Sequence, residues 1–214
     1  MAKTDDFLYV SQTADIVPFR IRRIGDEAEL QILLIRRSEY AKAEAGKWAL
    51  PGGFMDKTDG DVYQTAVREL REETGLDATR LNFVGVYTEK GRDPRGPVHS
   101  VAVAAYFDYE KSKEAKAGDD AKDAVWFCVK VSPPKDEDPG RRTVTLYSPE
   151  RHLLFKLDCE ERENGYGMKE NYVSATSVMG GSGIAFDHAK IIDRAIPSWP
   201  MHNEIPEWAK EGAK

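Results

Sequence analysis

Short apolar runs alternate with polar punctuation along the chain, and most of them carry a strand-like pattern. "DIVPFRIRR" (residues 15–23) alternates loosely, and after the turn signal "IGDEAE" comes "LQILLIRR" (residues 30–37). The pair predicts a hairpin whose second strand, almost continuously apolar, is buried. "LNFVGVYTE" (residues 81–89) and "VHSVAVAAYFDY" (residues 98–109) are rich in β-branched and aromatic residues and predict two more strands. Between them "KGRDPRGP" is a turn-forming loop with two arginines. "KDAVWFCVKV" (residues 122–131) predicts a further strand, ended by the loop "SPPKDEDPG", and "TVTLYSPERHLLFKLDCEE" predicts a hairpin around "SPER". Helical spacing occurs twice. "AFDHAKIIDRAI" predicts a short amphipathic helix burying Phe186, Ile191 and Ala195. "AVRELREETGL" (residues 66–76) predicts the other, with Val62, Ala66, Val67 and Leu70 inward, Asp59 or Asp61 as cap and Gly75 as stop. Strands outnumber helices, so the class is α+β, a mixed sheet with helices packed on it.

Composition narrows the choice. The 214 residues suffice for one large domain, and 41% hydrophobic with 32% charged is ordinary globular composition. No apolar run approaches the roughly 20 residues that span a bilayer. "MAKTDDFLYV" lacks the apolar core and cleavage site of a secretory signal. Cys128 and Cys159 are too far apart in sequence for a metal knuckle and read as reduced thiols of a cytoplasmic protein. A net charge of −6 without a basic stripe excludes a nucleic-acid coat, though not a small anionic substrate.

The second helix carries Glu69, Glu72 and Glu73 at i, i+3 and i+4, where like charges repel. One reading is a solvated face, with Arg68 paired to Glu72 for about 0.3–0.5 kcal/mol. The other is a divalent-metal site, because clustered oxygen ligands suit hard cations. The glycine pair in "GKWALPGGFMDKTDGD" favours the second, since bare backbone lets a ligand approach closely.

"RELREETGL" (residues 68–76) behind "LPGG" resembles the signature of the Nudix hydrolases: Gly, five residues, Glu, seven residues, then R-E-U-x-E-E-x-G-U, with U a bulky aliphatic residue. The second half matches throughout. In the first half Gly60 stands where glutamate is expected and Gly53 lies one residue too far upstream; Asp59 or Asp61 is the candidate replacement carboxylate. "LLIRR", "GRDPRGPVHSVAVAAYF", "KAGDDAKDAVWF" and "IAFDHAKII" resemble the ADP-ribose pyrophosphatase branch, which also contains the Nudix portions of NAD-metabolism regulators.

The resemblance implies a Nudix-type α/β/α sandwich over residues 1–214 as a single domain, with an inserted hairpin region at about 133–180. It implies hydrolysis, dependent on Mg²⁺ with Mn²⁺ as the alternative, of a nucleoside diphosphate derivative, ADP-ribose foremost, giving AMP and ribose 5-phosphate. NADH, a nucleotide sugar or an oxidised nucleotide is the alternative substrate, and a non-catalytic ADP-ribose sensor the alternative function. Glu69, Glu72 and Glu73, with backbone around Gly52 and Gly53, are the expected metal ligands. Arg68 orients them, and Asp119, Asp120 or Glu69 is the base. Arg36, Arg92 and Arg95 are expected at the substrate beside Gly52 and Gly53, Arg92 and Arg95 alternatively pairing within their loop. His188 is expected to bond locally at its helix start, and Trp48 and Trp126 to serve core or sheet rather than adenine. The implied assembly is a homodimer joined through the N-terminal strands, binding neither nucleic acid nor membrane.

Overall fold

The structure is a computed structural model that describes residues 7–196, apart from Glu114, Asp119, Asp120 and Pro133. Its elements in chain order begin with β1 (Ser11–Ile24), β2 (Glu27–Arg37), β3 (Trp48–Ala49), β4 (Gly52–Phe54) and α1 (Val62–Thr74). There follow β5 (Asn82–Tyr87), β6 (Val98–Phe107), β7 (Ala121–Ser132), β8 (Arg141–Ser148), β9 (Leu153–Glu163), β10 (Lys169–Met179) and α2 (His188–Ala195).

β1 and β2 form the expected hairpin around Gly25, whose φ of +61 suits a residue without Cβ. Their apolar runs look unbroken because both faces are covered. Ala14 and Ile16 of β1 and Leu33 of β2 point to one side, where Ala66 and Leu70 of α1 lie. Val17, Phe19, Ile32 and Leu34 point to the other, with Ile191 and Ile192 of α2. Alternation is present, yet both phases are apolar. Burying side chains such as Leu70 or Ile191, each 0% exposed, contributes about 1.5–3 kcal/mol apiece. Helices thus cover both faces of a mixed sheet, the expected α/β/α sandwich.

The sheet runs β10-β9-β8-β7-β2-β1-β6-β5, with β3 added to β2 and β4 to β1. Among the strand pairs of the described residues β1 and β6 run parallel and the others antiparallel, and Trp48 of β3 adds an isolated parallel bridge to Ile184. The 133–180 region supplies β8, β9 and β10, which continue the same sheet. The hairpin around "SPER" is present, closed by a 3-10 turn over Pro149–Arg151. β10 was not expected as a separate strand: most of its side chains are exposed, so little apolar periodicity marks it. α2 starts later than expected, leaving Phe186 ahead of the helix at φ +50, while Ile191 and Ala195 are buried as expected. No helix among the described residues is long and apolar enough to cross a membrane.

Candidate active site

α1 owes its ends to the residues the sequence marks. The Asp61 carboxylate accepts the Gln64 N–H at 2.8 Å, and Gly75, at φ +71, donates its N–H to Arg71 O. Asp59 is therefore left for another task. Its carboxylate, 6% exposed, accepts from Arg68 Nε and Nη2 at 3.0 and 2.9 Å, and these bonds hold it far below the usual aspartate range. The same guanidinium donates to Glu69 (2.8 Å), Glu72 (3.0 Å) and the Phe54 carbonyl (3.0 Å). One planar fork thus gathers three carboxylates, which answers their mutual repulsion with a positive charge.

The three glutamates do not converge as the sequence reading expected. Glu72 is exposed and leans on Arg68. Glu73 is buried and accepts the Gly52 N–H at 2.9 Å. Glu69 lies against Gly53, where an added Cβ would meet its carboxyl carbon at 2.5 Å. Burial raises the Glu69 carboxyl above the ordinary glutamate value in spite of Arg68. No group of three acidic, His or Cys side chains among the described residues is disposed to hold a metal ion, because Arg68 draws two of these glutamates and Gly52 the third. The donor chemistry still fits a hard cation. Glu69 and Glu72 both reach the same Nη1 atom, so their oxygens already meet at one positively charged point.

The glycine pair sits where close approach is required. β4 pairs with β1 so that Gly52 faces Asp15 and Gly53 faces Ala14. A Cβ on Gly52 would lie 2.3 Å from the Ala14 carbonyl oxygen, which backbone cannot yield. The cleft beside the pair is lined by Thr13, Asp15, Arg37, Arg95, Phe186 and His188, among others. A roomier cavity of about 440 Å³ lies elsewhere, between β5, β10 and α2, and holds none of the α1 carboxylates.

The cleft's far wall is cationic, though not through every expected arginine. Arg36 lies outside it, with its guanidinium on Glu39 and the Gly46 carbonyl. Arg37 lines it instead, in the same strand phase as Leu33 and Ile35. Burial, and after it the charge of Arg95, lower the Arg37 value, and both residues line the cleft. Arg95 is bound to Asp93 in its own loop at 2.6 Å and stays 34% exposed. Arg92 also lines the cleft, 4% exposed and clamped two-fold by Asp187 (2.9 and 2.7 Å) with Asp15 at 3.5 Å. Burial opposes the Asp15 charge, but His188, Ser100 and Arg92 outweigh it and hold its value low. His188 Nδ1 accepts the Leu50 N–H at 2.8 Å, across 138 positions rather than locally, while Nε2 faces Asp15 at 3.4 Å.

Trp48 is core, 2% exposed and edge-on to Phe127, and Trp126 stacks under Arg20. Asp119 and Asp120 lie outside the described residues. Before them, Lys116 and Gly118 donate backbone N–H groups to the Thr74 and Glu73 carbonyls at 3.1 and 3.0 Å, closing the end of α1. Sequence reasoning missed Asp15, Asp93 and Arg37. The first two look like ordinary strand and loop acids, and parity along an all-apolar strand does not select between adjacent arginines.

An ADP-ribose pyrophosphatase of Methanocaldococcus jannaschii is 42% identical over 101 residues, 47% of this chain and 56% of that protein. An ADPR-responsive transcriptional repressor, NtrR, of Acinetobacter baylyi is 42% identical over 85 residues, 39% of this chain and 32% of the repressor. The chain thus spans about half or less of these relatives' length. Among solved structures, a MutT/nudix family protein from Enterococcus faecalis superposes with a TM-score of 0.64 at 26% identity, covering 88% of this chain and 61% of that one. The NUDIX domain family model matches residues 19–147, which include β2, the glycine pair and all of α1. The chain belongs to the NUDIX domain family.

Proposed function

We propose that the protein hydrolyses the diphosphate of a nucleoside diphosphate derivative, with ADP-ribose the substrate and AMP and ribose 5-phosphate the products. The observation that carries this reading is one cleft with opposed walls. Glu69 abuts Gly53 on one side, and Arg37 and Arg95 line the cleft beside that glycine. A diphosphate in the cleft accepts the arginines' N–H groups. Glu69 and Glu72, with Glu73 behind them, would hold a divalent cation, magnesium or manganese, which neutralises diphosphate charge when bound. A carboxylate of this group takes the proton of the attacking water as its oxygen bonds to phosphorus and a P–O bond of the diphosphate breaks. Arg68 keeps Glu69 aimed, and Asp59 replaces the signature glutamate absent at Gly60 as a partner of Arg68. The likeness to the archaeal pyrophosphatase supports the choice of ADP-ribose.

A second reading is a sensor that binds ADP-ribose without turnover. Gly60 in place of the signature glutamate and the likeness to the NtrR repressor favour it. The deciding assay incubates the chain with ADP-ribose, NADH and nucleotide sugars, with and without Mg²⁺, and separates products by chromatography. Metal-dependent AMP release from ADP-ribose is expected. Saturable binding without product establishes the sensor, and no product or binding with any substrate removes both readings.

A further inference from the structure

Beside the cleft the arginines Arg37 and Arg95 meet two aromatic rings, Phe54 and Phe186, to which the hydrolytic chemistry gives no task. The Arg95 Cζ lies 4.5 Å from the Phe54 ring centroid and 5.3 Å from that of Phe186. Arg37 Cζ lies 5.1 Å from the Phe186 ring, so this ring meets two guanidinium groups. Phe186 keeps this place at a backbone angle that a bulky residue rarely adopts, φ +50. Its neighbours fix it there: Ala185 donates its N–H to the Trp48 carbonyl at 2.7 Å, and Asp187 clamps Arg92. Arg95 is equally constrained, since Asp93, only 4% exposed, takes its Nε and Nη2 hydrogens. The outermost member differs. Phe54 follows the glycine pair on β4 and is 39% exposed, with Arg95 over its ring.

We propose that Phe54 is the stacking platform for the base of the substrate, with Arg95 backing its ring and Phe186 in turn packed on Arg95. This rests on the reading that a nucleoside diphosphate occupies the cleft. Three points carry it. A large apolar ring in solvent beside a polar cleft gains nothing there from water and offers a π-face to a flat heterocycle. The backing guanidinium is ordered by Asp93, so the platform is built before ligand arrives. Arg95 Nη1 has no hydrogen-bond partner among the described residues, which leaves it to reach the phosphates of a ligand whose base lies on the adjoining ring. Aliphatic or sugar-only diphosphates fill the phosphate positions but not this face. Nucleotides fill both.

The test uses the full chain with Phe54→Ala, Phe54→Leu and Phe54→Trp, each checked for an unchanged melting profile. The probe is ethenoadenosine monophosphate, whose fluorescence is quenched when its ring stacks, alongside inorganic pyrophosphate as competitor. Wild-type and Phe54→Trp proteins are expected to quench it. Alanine and leucine should weaken binding about tenfold, with pyrophosphate affinity unmoved. In turnover of ADP-ribose the same loss should fall on KM and spare kcat. Leucine separates stacking from simple packing, because it keeps apolar bulk without a π-face. Equal affinity in wild type and Phe54→Leu, or a parallel loss for pyrophosphate, overturns the platform. Quenching needs no hydrolysis, so a chain that binds through Phe54 yet releases no AMP refutes the hydrolase reading and leaves this one standing.

Discussion

α2 opens on the cleft with His188, and α1 on the opposite face of the sheet touches the cleft's glycine pair through Glu69, yet the two helices are held by different means. The bonds that arrange α1's functional groups are mostly local: Asp61 to Gln64, Arg68 to Glu69 and Glu72, and Arg68 back to Asp59. α2 is tied at both ends to distant strands and loops. At its start Asp187 grips Arg92 and His188 accepts from Leu50. Near its end Asp193, fully buried, takes Arg142 of β8 at 2.6 Å and Asn171 of β10 at 2.6 Å. Local bonding leaves α1's carboxylates adjustable and partly wet, as a group that exchanges partners requires. Distant bonding makes α2 a fixed wall.

The sharpest break in that comparison is Glu69→Gln. It should cost about 10²–10⁴-fold in ADP-ribose turnover. The same variant should melt no lower than wild type, since burial disfavours the charge it removes. A melting temperature several degrees lower in differential scanning fluorimetry would show that Glu69 is a structural anchor instead. Asp193→Ala probes the other helix. It strands Arg142 without its buried carboxylate, and urea unfolding should show a loss of about 3–5 kcal/mol. A loss under 1 kcal/mol would mean α2 is not held at that end.

Gly53→Ala presses a methyl group onto the Glu69 carboxylate, the mobile end of a side chain. Turnover should fall about tenfold or more, because even a displacement near 1 Å misplaces a reacting group, while the unfolding midpoint stays close to wild type. Acid should act on both sides, through Asp59 beside α1 and through Asp15 and Asp93 around the cleft. Asp15 and Asp93 have folded values below their unfolded ones. Their contribution is complete above the ordinary aspartate value of about 3.9 and disappears as pH falls through the lower folded values. Replacing Asp15 by Asn should flatten the acid limb of a stability–pH curve; an unchanged limb would assign acid sensitivity elsewhere. The smallest effect is Asp61→Ala, which removes only the α1 cap and should cost about 1 kcal/mol.

The same contrast governs what the sequence discloses. The order of strands and helices, the capped acidic helix and the glycine pair were legible, because each rests on short-range chemistry. Arg37 against Arg36 was not, because both phases of β2 are apolar and alternation alone leaves open which phase faces the cleft. The roles of Asp15 and His188 were hidden for a related reason: their partners are far away in the chain, Ser100 for the first and Leu50 for the second. Arg92 and Arg95 look equivalent in "GRDPRGP", and only the fold delivers Asp187 to one of them. The strand at the sheet edge, β10, went unseen since exposure erases the apolar rhythm.

The last carbonyls of α1 are capped by residues 116–118, not by solvent. A Cβ on Gly118 would fall 1.8 Å from the Glu72 carbonyl oxygen, so this seam admits no side chain. Deuterium uptake at the Lys116 and Gly118 amides should therefore keep pace with fraying of the helix end that carries Glu72 and Glu73. These two amides are natural reporters of whether the acidic edge is intact.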